Sequence, residues 1–244
     1  MGDATTMKIN DKKELVKLIS YITMGDGGLY INGQAKNAKF IMNMVEDNQD
    51  YIYFCKDVLE NIVGCHVYSR KDYNTDGCNR KPQLRLESCS HPELTKIKER
   101  VYVDKYKSID PHALKLLDWQ SLAILYMCDG CMSIGDTKYK GGVNPEYTVT
   151  LNMKRLSYGD QLLLKKAIKE KLGLEFNIQK QNKYFYLRLR SKDVDTFMLN
   201  ISRWVFPSFQ YKIKEDFRTV SPESVSGGDI VWSAQKCAEA SRND

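Results

Sequence analysis

The amino-acid sequence predicts an α+β fold of two pseudo-symmetric halves. Each runs αββαββα, a four-stranded antiparallel sheet backed by helices. Three observations predict it. Two apolar helical stretches, residues 19–27 (Ile-Ser-Tyr-Ile-Thr-Met-Gly-Asp-Gly) and 122–130 (Leu-Ala-Ile-Leu-Tyr-Met-Cys-Asp-Gly), end alike in Met-x-Asp-Gly. With those endings in register, helical and strand-like patterns follow in the same order behind each. Asn43-Met44 and Asn152-Met153 then fall at comparable places after the two acids, the longer second spacing accounted for by an extra loop over 137–144.

The first half spans 11–101, after a short polar extension over 1–10. Leu15, Leu18, Ile19 and Ile22 recur at helical spacing over 12–25, with Asp11 as the N-cap. A hairpin-like pair follows at 28–32 and 39–45 around a turn containing Gly33, then a helix over 49–62 that stops before Gly64. Strands over 65–71 and 83–88 flank a polar loop with Asn74, Asp76, Gly77 and Asn79. Pro92 opens the last helix, to 101, with His91 at its start.

Residues 102–117 form a linker in which Pro111 argues against one continuous helix. The second half spans 118–220. Asp118 caps a helix over 119–128, and strands follow near 131–134 and 147–153. Ser157 and Asp160 resemble a capping box, opening a helix that ends at Gly173. A hairpin over 176–180 and 184–190 precedes a helix over 193–204. From 221 to 244 Ser, Gly and Pro dominate, which predicts a loosely held tail whose Ile230-Val231-Trp232 could dock on the body.

Bulk properties narrow the classes. A chain of 244 residues buries roughly 70% or more of its unfolded surface, so it needs no disulfide or metal scaffold. Its net charge of +6 is compatible with nucleic acid without requiring it. Seven irregularly spaced Cys and no secretory signal predict an intracellular chain with reduced thiols, cytoplasm and organelle both remaining open. No apolar run reaches the ~18 residues of a membrane span.

The twin endings are electrostatically unfavourable, because a carboxylate at a helix C-terminus faces the negative end of the macrodipole. Two at matching positions, Asp26 and Asp129, imply a divalent metal between them. Strand alternation shows what the sheets present outward: Gln83 and Arg85 in one half, and Thr148, Thr150, Asn177, Gln179, Tyr184, Tyr186, Arg188 and Arg190 in the other. Tyr30, Asn32, Lys39 and Arg70 join them in the first half. Arg, Asn and Gln are the residues that read base edges. The spacing Cys128-Asp-Gly-Cys131 is formally CxxC, but Gly25 and Gly28 hold those places in the first copy, and no second pair completes a zinc pattern.

Together these segments resemble the LAGLIDADG homing endonucleases in their single-chain form with two motif copies, over about 11–220. Residues 207–212, Pro-Ser-Phe-Gln-Tyr-Lys, look like a closing element seen in some members. The resemblance implies a monomer whose motif helices pack at a pseudo-two-fold interface and whose sheets form a saddle on double-stranded DNA. It implies that Asp26 and Asp129 bind Mg²⁺, which Mn²⁺ or Ca²⁺ could replace in binding. Gly25 and Cys128 are candidates to add carbonyl oxygens to the metal, Asn43 and Asn152 to order water, and Lys183 and Lys81 to support transition-state charge. Met24 and Met127 depart from the name-motif at a place that is usually not a ligand. Tyr21 and Ile124 replace small residues, from which a wider or shifted helix interface is expected. The implied activity is a site-specific double-strand break. An RNA maturase assisting intron splicing, or a non-cleaving DNA-binding regulator, are the alternatives. Retention of both acids favours the enzyme.

Overall fold

The computed structural model describes residues 8–70, 81–139 and 142–218, with 136–139 and 142–145 described for backbone alone. The expected loop around Asn74 and Asp76 and the tail from 221 lie outside those residues. The first helix, α1 (Lys12–Met24), starts where the Asp11 side chain accepts from the Lys13 N–H at 2.8 Å. Strands β1 (Gly28–Tyr30) and β2 (Lys39–Val45), helix α2 (Gln49–Glu60) and strands β3 (Cys65–Arg70) and β4 (Gln83–Ser88) follow. Helix α3 (Pro92–Val101) closes the half, its first turn capped by His91 Nδ1, which accepts from the Glu93 N–H.

The connection is more ordered than a linker. It holds a two-strand hairpin, β5 (Tyr102–Val103) and β6 (Tyr106–Lys107), turning at Asp104 with φ 55°. Short helix α4 (Pro111–Lys115) follows, with Asp110 as cap and Pro111 at its first position, where a missing N–H is harmless.

The second half repeats the order as α5 (Trp119–Asp129), β7 (Gly130–Tyr139), β8 (Gly142–Leu151), α6 (Tyr158–Leu172), β9 (Phe176–Gln181), β10 (Tyr184–Leu189) and α7 (Val194–Ile201). Ser157 and Asp160 form a reciprocal capping box, and Gly173 ends α6 at φ 72°. Two expectations change. The residues expected as an extra loop extend the β7–β8 ladder to a Tyr139–Gly142 pair. The helix expected over 193–204 is α7 between two 3₁₀ turns, its last residues, 202–204, tightening into the second.

Each half has one four-stranded antiparallel sheet, in the orders β1-β2-β4-β3 and β7-β8-β10-β9. Alternation buries Phe40, Met42, Leu84 and Leu86 under the first helix layer, and Val149, Leu151, Leu187 and Leu189 under the second. Burial of each such side chain is worth roughly 1.5–3 kcal/mol. No helix among the described residues is long and apolar enough to cross a membrane.

The motif helices are the common centre. From Gln120 to Met127 every residue of α5 is buried, as are Lys17 to Met24 of α1. Such helices are stable only inside a core. Polar pins fix them: Lys17, 2% exposed, bridges Glu14 (2.7 Å) and Asp118 (2.6 Å), the cap of α5. Fully buried Asp110 accepts from Ser20 Oγ at 2.9 Å, tying α4 to α1.

Candidate active site

The C-terminal ends of α1 and α5 meet. A Cβ built on Gly25 would stand 2.5 Å from Cys128 Sγ, so glycine is what permits the approach. The Asp26 N–H points to Cys128 Sγ, and Tyr51 of α2 lies behind, its hydroxyl 3.4 Å from the same sulfur. The interface is therefore tight at the acid end rather than wide. Tyr21 does not spread the helices because its ring turns aside and donates to the Ala113 carbonyl in α4.

Asp26 and Asp129 stand at this junction. Burial first, and the nearby Asp26 charge second, push the Asp129 carboxyl up to about 6. Among the described residues, neither carboxyl accepts a hydrogen bond. An acid pair without donors, Asp26 exposed and Asp129 half-buried, fits a hard divalent cation, which takes carboxylate oxygens and completes its shell from water and phosphate. No cluster of three or more His, Cys, Asp or Glu side chains suited to a metal forms among the described residues, so the two acids are the whole protein-side candidate.

Neither motif helix carries a basic residue in its last turn; cations come from elsewhere in the chain. Lys107 of β6 donates to the Gly25 carbonyl at 2.5 Å and the Gly27 carbonyl at 2.7 Å. Lys212 donates to the Met127 carbonyl at 2.6 Å. Each lysine satisfies orphan carbonyls of a helix end and sets a positive charge against the dipole. Burial, and next the Arg155 charge, push Lys107 down to about 8, while burial also lowers Lys212.

The segments carrying these lysines are held by the opposite half. Asp160, at the start of α6, accepts from Ser108 Oγ (2.7 Å) and the Ile109 N–H (3.0 Å), next to Lys107. Asp50, at the start of α2, accepts from Ser208 Oγ (2.5 Å) and the Ser208 N–H (3.0 Å), ahead of Lys212. Two reciprocal clasps thus cross the pseudo-two-fold.

A sequence model of the LAGLIDADG DNA endonuclease family matches residues 19–197, which hold the acid-bearing ends of both motif helices and both sheets. The chain belongs to that family. It is 28% identical over 209 residues to an uncharacterized protein of Methanocaldococcus jannaschii, covering 84% of this chain and 75% of that one. Its fold is similar to that of the homing endonuclease I-WcaI bound to its DNA recognition sequence, at 19% identity and a TM-score of 0.65, over 85% of this chain and 88% of that one. It is also similar to the LAGLIDADG meganuclease I-AabMI bound to uncleaved DNA, at 14% identity and 0.54, over 84% and 90% of the two chains.

On this LAGLIDADG frame the expected residues fall into three groups. Asn152 is at the site: its N–H bonds to the Asp129 carbonyl at 2.7 Å, continuing the β7–β8 pairing past the acid. Asn43, exposed and paired with Arg85, holds the matching place in the first sheet. The Gly25 carbonyl, expected as a metal ligand, is instead engaged by Lys107. Burial raises the Cys128 thiol well above its ordinary range, which keeps it protonated, and Cys131 lies apart on β7. Lys81 is bonded to Asp47 at 2.5 Å, and Lys183 sits at the β9–β10 turn, 5.3 Å over the Tyr184 ring. Lys107 and Lys212 bring positive charge to the ends of the motif helices. Both follow a tyrosine, as Tyr106-Lys107 and Tyr211-Lys212, the second pair lying in the closing element.

The third group lies on the outer sheet faces. Registers run Asn43–Arg85–Tyr68 and Val45–Gln83–Arg70 in the first sheet, with Tyr30 beside Lys39 and Asn32 exposed just beyond. In the second they run Thr150–Arg188–Asn177, Tyr186–Gln179 and Tyr184–Gln181. Arg188 donates to Thr148 Oγ1 at 3.1 Å and Tyr186 to Gln179 Oε1 at 2.6 Å. The Arg190 guanidinium pairs with Glu175, which also binds Lys169 of α6.

Proposed function

We propose that this chain is a site-specific homing endonuclease that makes a metal-dependent double-strand break in a long double-stranded DNA target. The observation that carries this reading is the donor-free pair Asp26 and Asp129, which the meeting ends of α1 and α5 bring to one junction. Relatives of the same fold, I-WcaI and I-AabMI, are described bound to DNA, which supports duplex DNA as the partner here. Both halves supply one acid, so a single chain carries a complete site.

Asp26 and Asp129 would hold the cation, with Mg²⁺ the working ion. When bound, it supplies Lewis acidity that activates water and stabilises the leaving oxygen. Asn43 and Asn152, at matching strand positions of the two halves, would orient a water. Lys107 and Lys212 fix the helix-end carbonyls and keep positive charge where phosphodiester opening concentrates negative charge. Arg85, Gln83, Asn177, Gln179 and Arg188 face the grooves, where Arg recognises guanine and Asn or Gln adenine.

The test is cleavage of a randomised duplex library with Mg²⁺, followed by the same reaction for Asp26→Asn and Asp129→Asn. Cleavage is expected to fall by at least about 100-fold in each, with duplex affinity within a few fold of the parent. Undiminished cleavage in both variants overturns the acid assignment. No cut product from the parent chain with Mg²⁺ or Mn²⁺ overturns the endonuclease reading.

A further inference from the structure

The outer face of the first sheet carries a carboxylate where a nucleic-acid surface is expected to carry none. Glu87 of β4 gathers donors from three strands: Lys39 of β2 forms a close ion pair with it, Arg85 Nε donates at 3.1 Å, and the Tyr68 hydroxyl donates at 3.0 Å. In the second half the matching place carries no carboxylate. The register Gly28–Ile41–Glu87–His66 matches Cys131–Thr150–Arg188–Asn177, counted from the acids, so the place of Glu87 is held there by Arg188.

This arrangement has two physical consequences. Lys39 and Arg85 are already partly neutralised, which weakens their attraction to any phosphate irrespective of sequence. Arg85 also loses freedom: with Nε committed to Glu87, its two Nη groups are left as a restrained fork to meet a partner. A fixed guanidinium fork is the geometry that meets guanine O6 and N7 together. A free arginine on the same strand would instead follow the nearest phosphate.

We propose that Glu87 is a specificity-determining residue of the first half. It positions Arg85 for base-edge readout and suppresses non-specific duplex binding through Lys39 and Arg85. The proposal rests on the DNA-binding reading above and assigns base selectivity unequally to the two halves.

The test compares the parent chain with Glu87→Gln, which keeps shape and hydrogen-bonding reach but not charge, and with Arg85→Gln. Two quantities are measured: affinity for a random-sequence duplex, and base preference in sequences selected from a randomised library. Glu87→Gln is expected to raise random-duplex affinity about 2- to 5-fold. It is also expected to reduce preference about 10-fold at one base pair, the same one that Arg85→Gln abolishes. A thermal unfolding scan confirms that each variant is folded. If the parent selects a sequence and Glu87→Gln keeps the same preference, the proposal is overturned while the DNA reading stands. Equal weakening of all duplexes also overturns it, since Glu87 would then merely hold the sheet. If the parent selects no sequence at all, the DNA reading itself fails and the proposal with it.

Discussion

Asp129 is the residue at which burial, charge and the helix end act together. Its carboxyl titrates near 6 in the folded chain but near 3.9 when unfolded. The folded state therefore binds this proton more tightly, so this group's contribution to stability is greatest below about pH 4 and is lost as pH rises through about 6. Asp129→Asn cannot ionise and escapes that loss. In chelator, its melting temperature is expected to exceed the parent's at pH 7 and to match it near pH 4, a difference on the order of 1–3 kcal/mol. Mg²⁺ should then stabilise the parent at pH 7 and leave the variant unmoved. Calorimetry at both pH values checks this; a gap independent of pH sinks it. The acids were legible in the sequence because they repeat beside an apolar pattern. The lysines were not, because Lys107 reaches the site only through the fold of a hairpin that the sequence reads as a linker.

At the scale of elements, the motif helices touch through one glycine and one cysteine at equivalent positions. Gly25→Ala would press a methyl group 2.5 Å from Cys128 Sγ and 2.9 Å from its Cβ, and neither can retreat far beside Tyr51. Overpacking of this kind costs about 1–3 kcal/mol. The double variant Gly25→Ala with Cys128→Gly exchanges the two residues and is expected to recover part of that loss. Chemical denaturation of the single and double variants measures it, and no recovery would mean the loss lies in the backbone of α1. The clasps give a second expectation at this scale. Ser208→Ala removes one donor from Asp50 but leaves the Ser208 N–H, so it should cost about 0.5–1.5 kcal/mol. Helix caps were readable from local chemistry, as Asp11, Asp118 and Ser157 show. The extended β7–β8 ladder was not, since cross-strand pairing decides it.

The whole molecule is two repeats that do not share their core evenly. In α5 the residues from Gln120 to Met127 are buried on all sides, and the faces turned away from the second sheet are covered by the first half, through α1 and Tyr51. Clasps add to this dependence, because each half holds the other's lysine-bearing segment. Lys17 of the first half also pairs with the cap of α5. A fragment of residues 118–218 alone would expose an apolar helix face and leave Asp50's partner Ser208 and the Asp118 cap without their counterparts. Exposed apolar surface of that kind drives association. We therefore expect this fragment to aggregate, or to unfold without a cooperative transition, when made alone. Co-expressed with residues 1–117 it should assemble into a one-to-one complex with a single unfolding transition. Size-exclusion chromatography and circular dichroism of the separate and co-expressed halves decide the matter. A monomeric second half that melts cooperatively by itself would show that the pseudo-two-fold interface joins two finished domains, rather than completing one core.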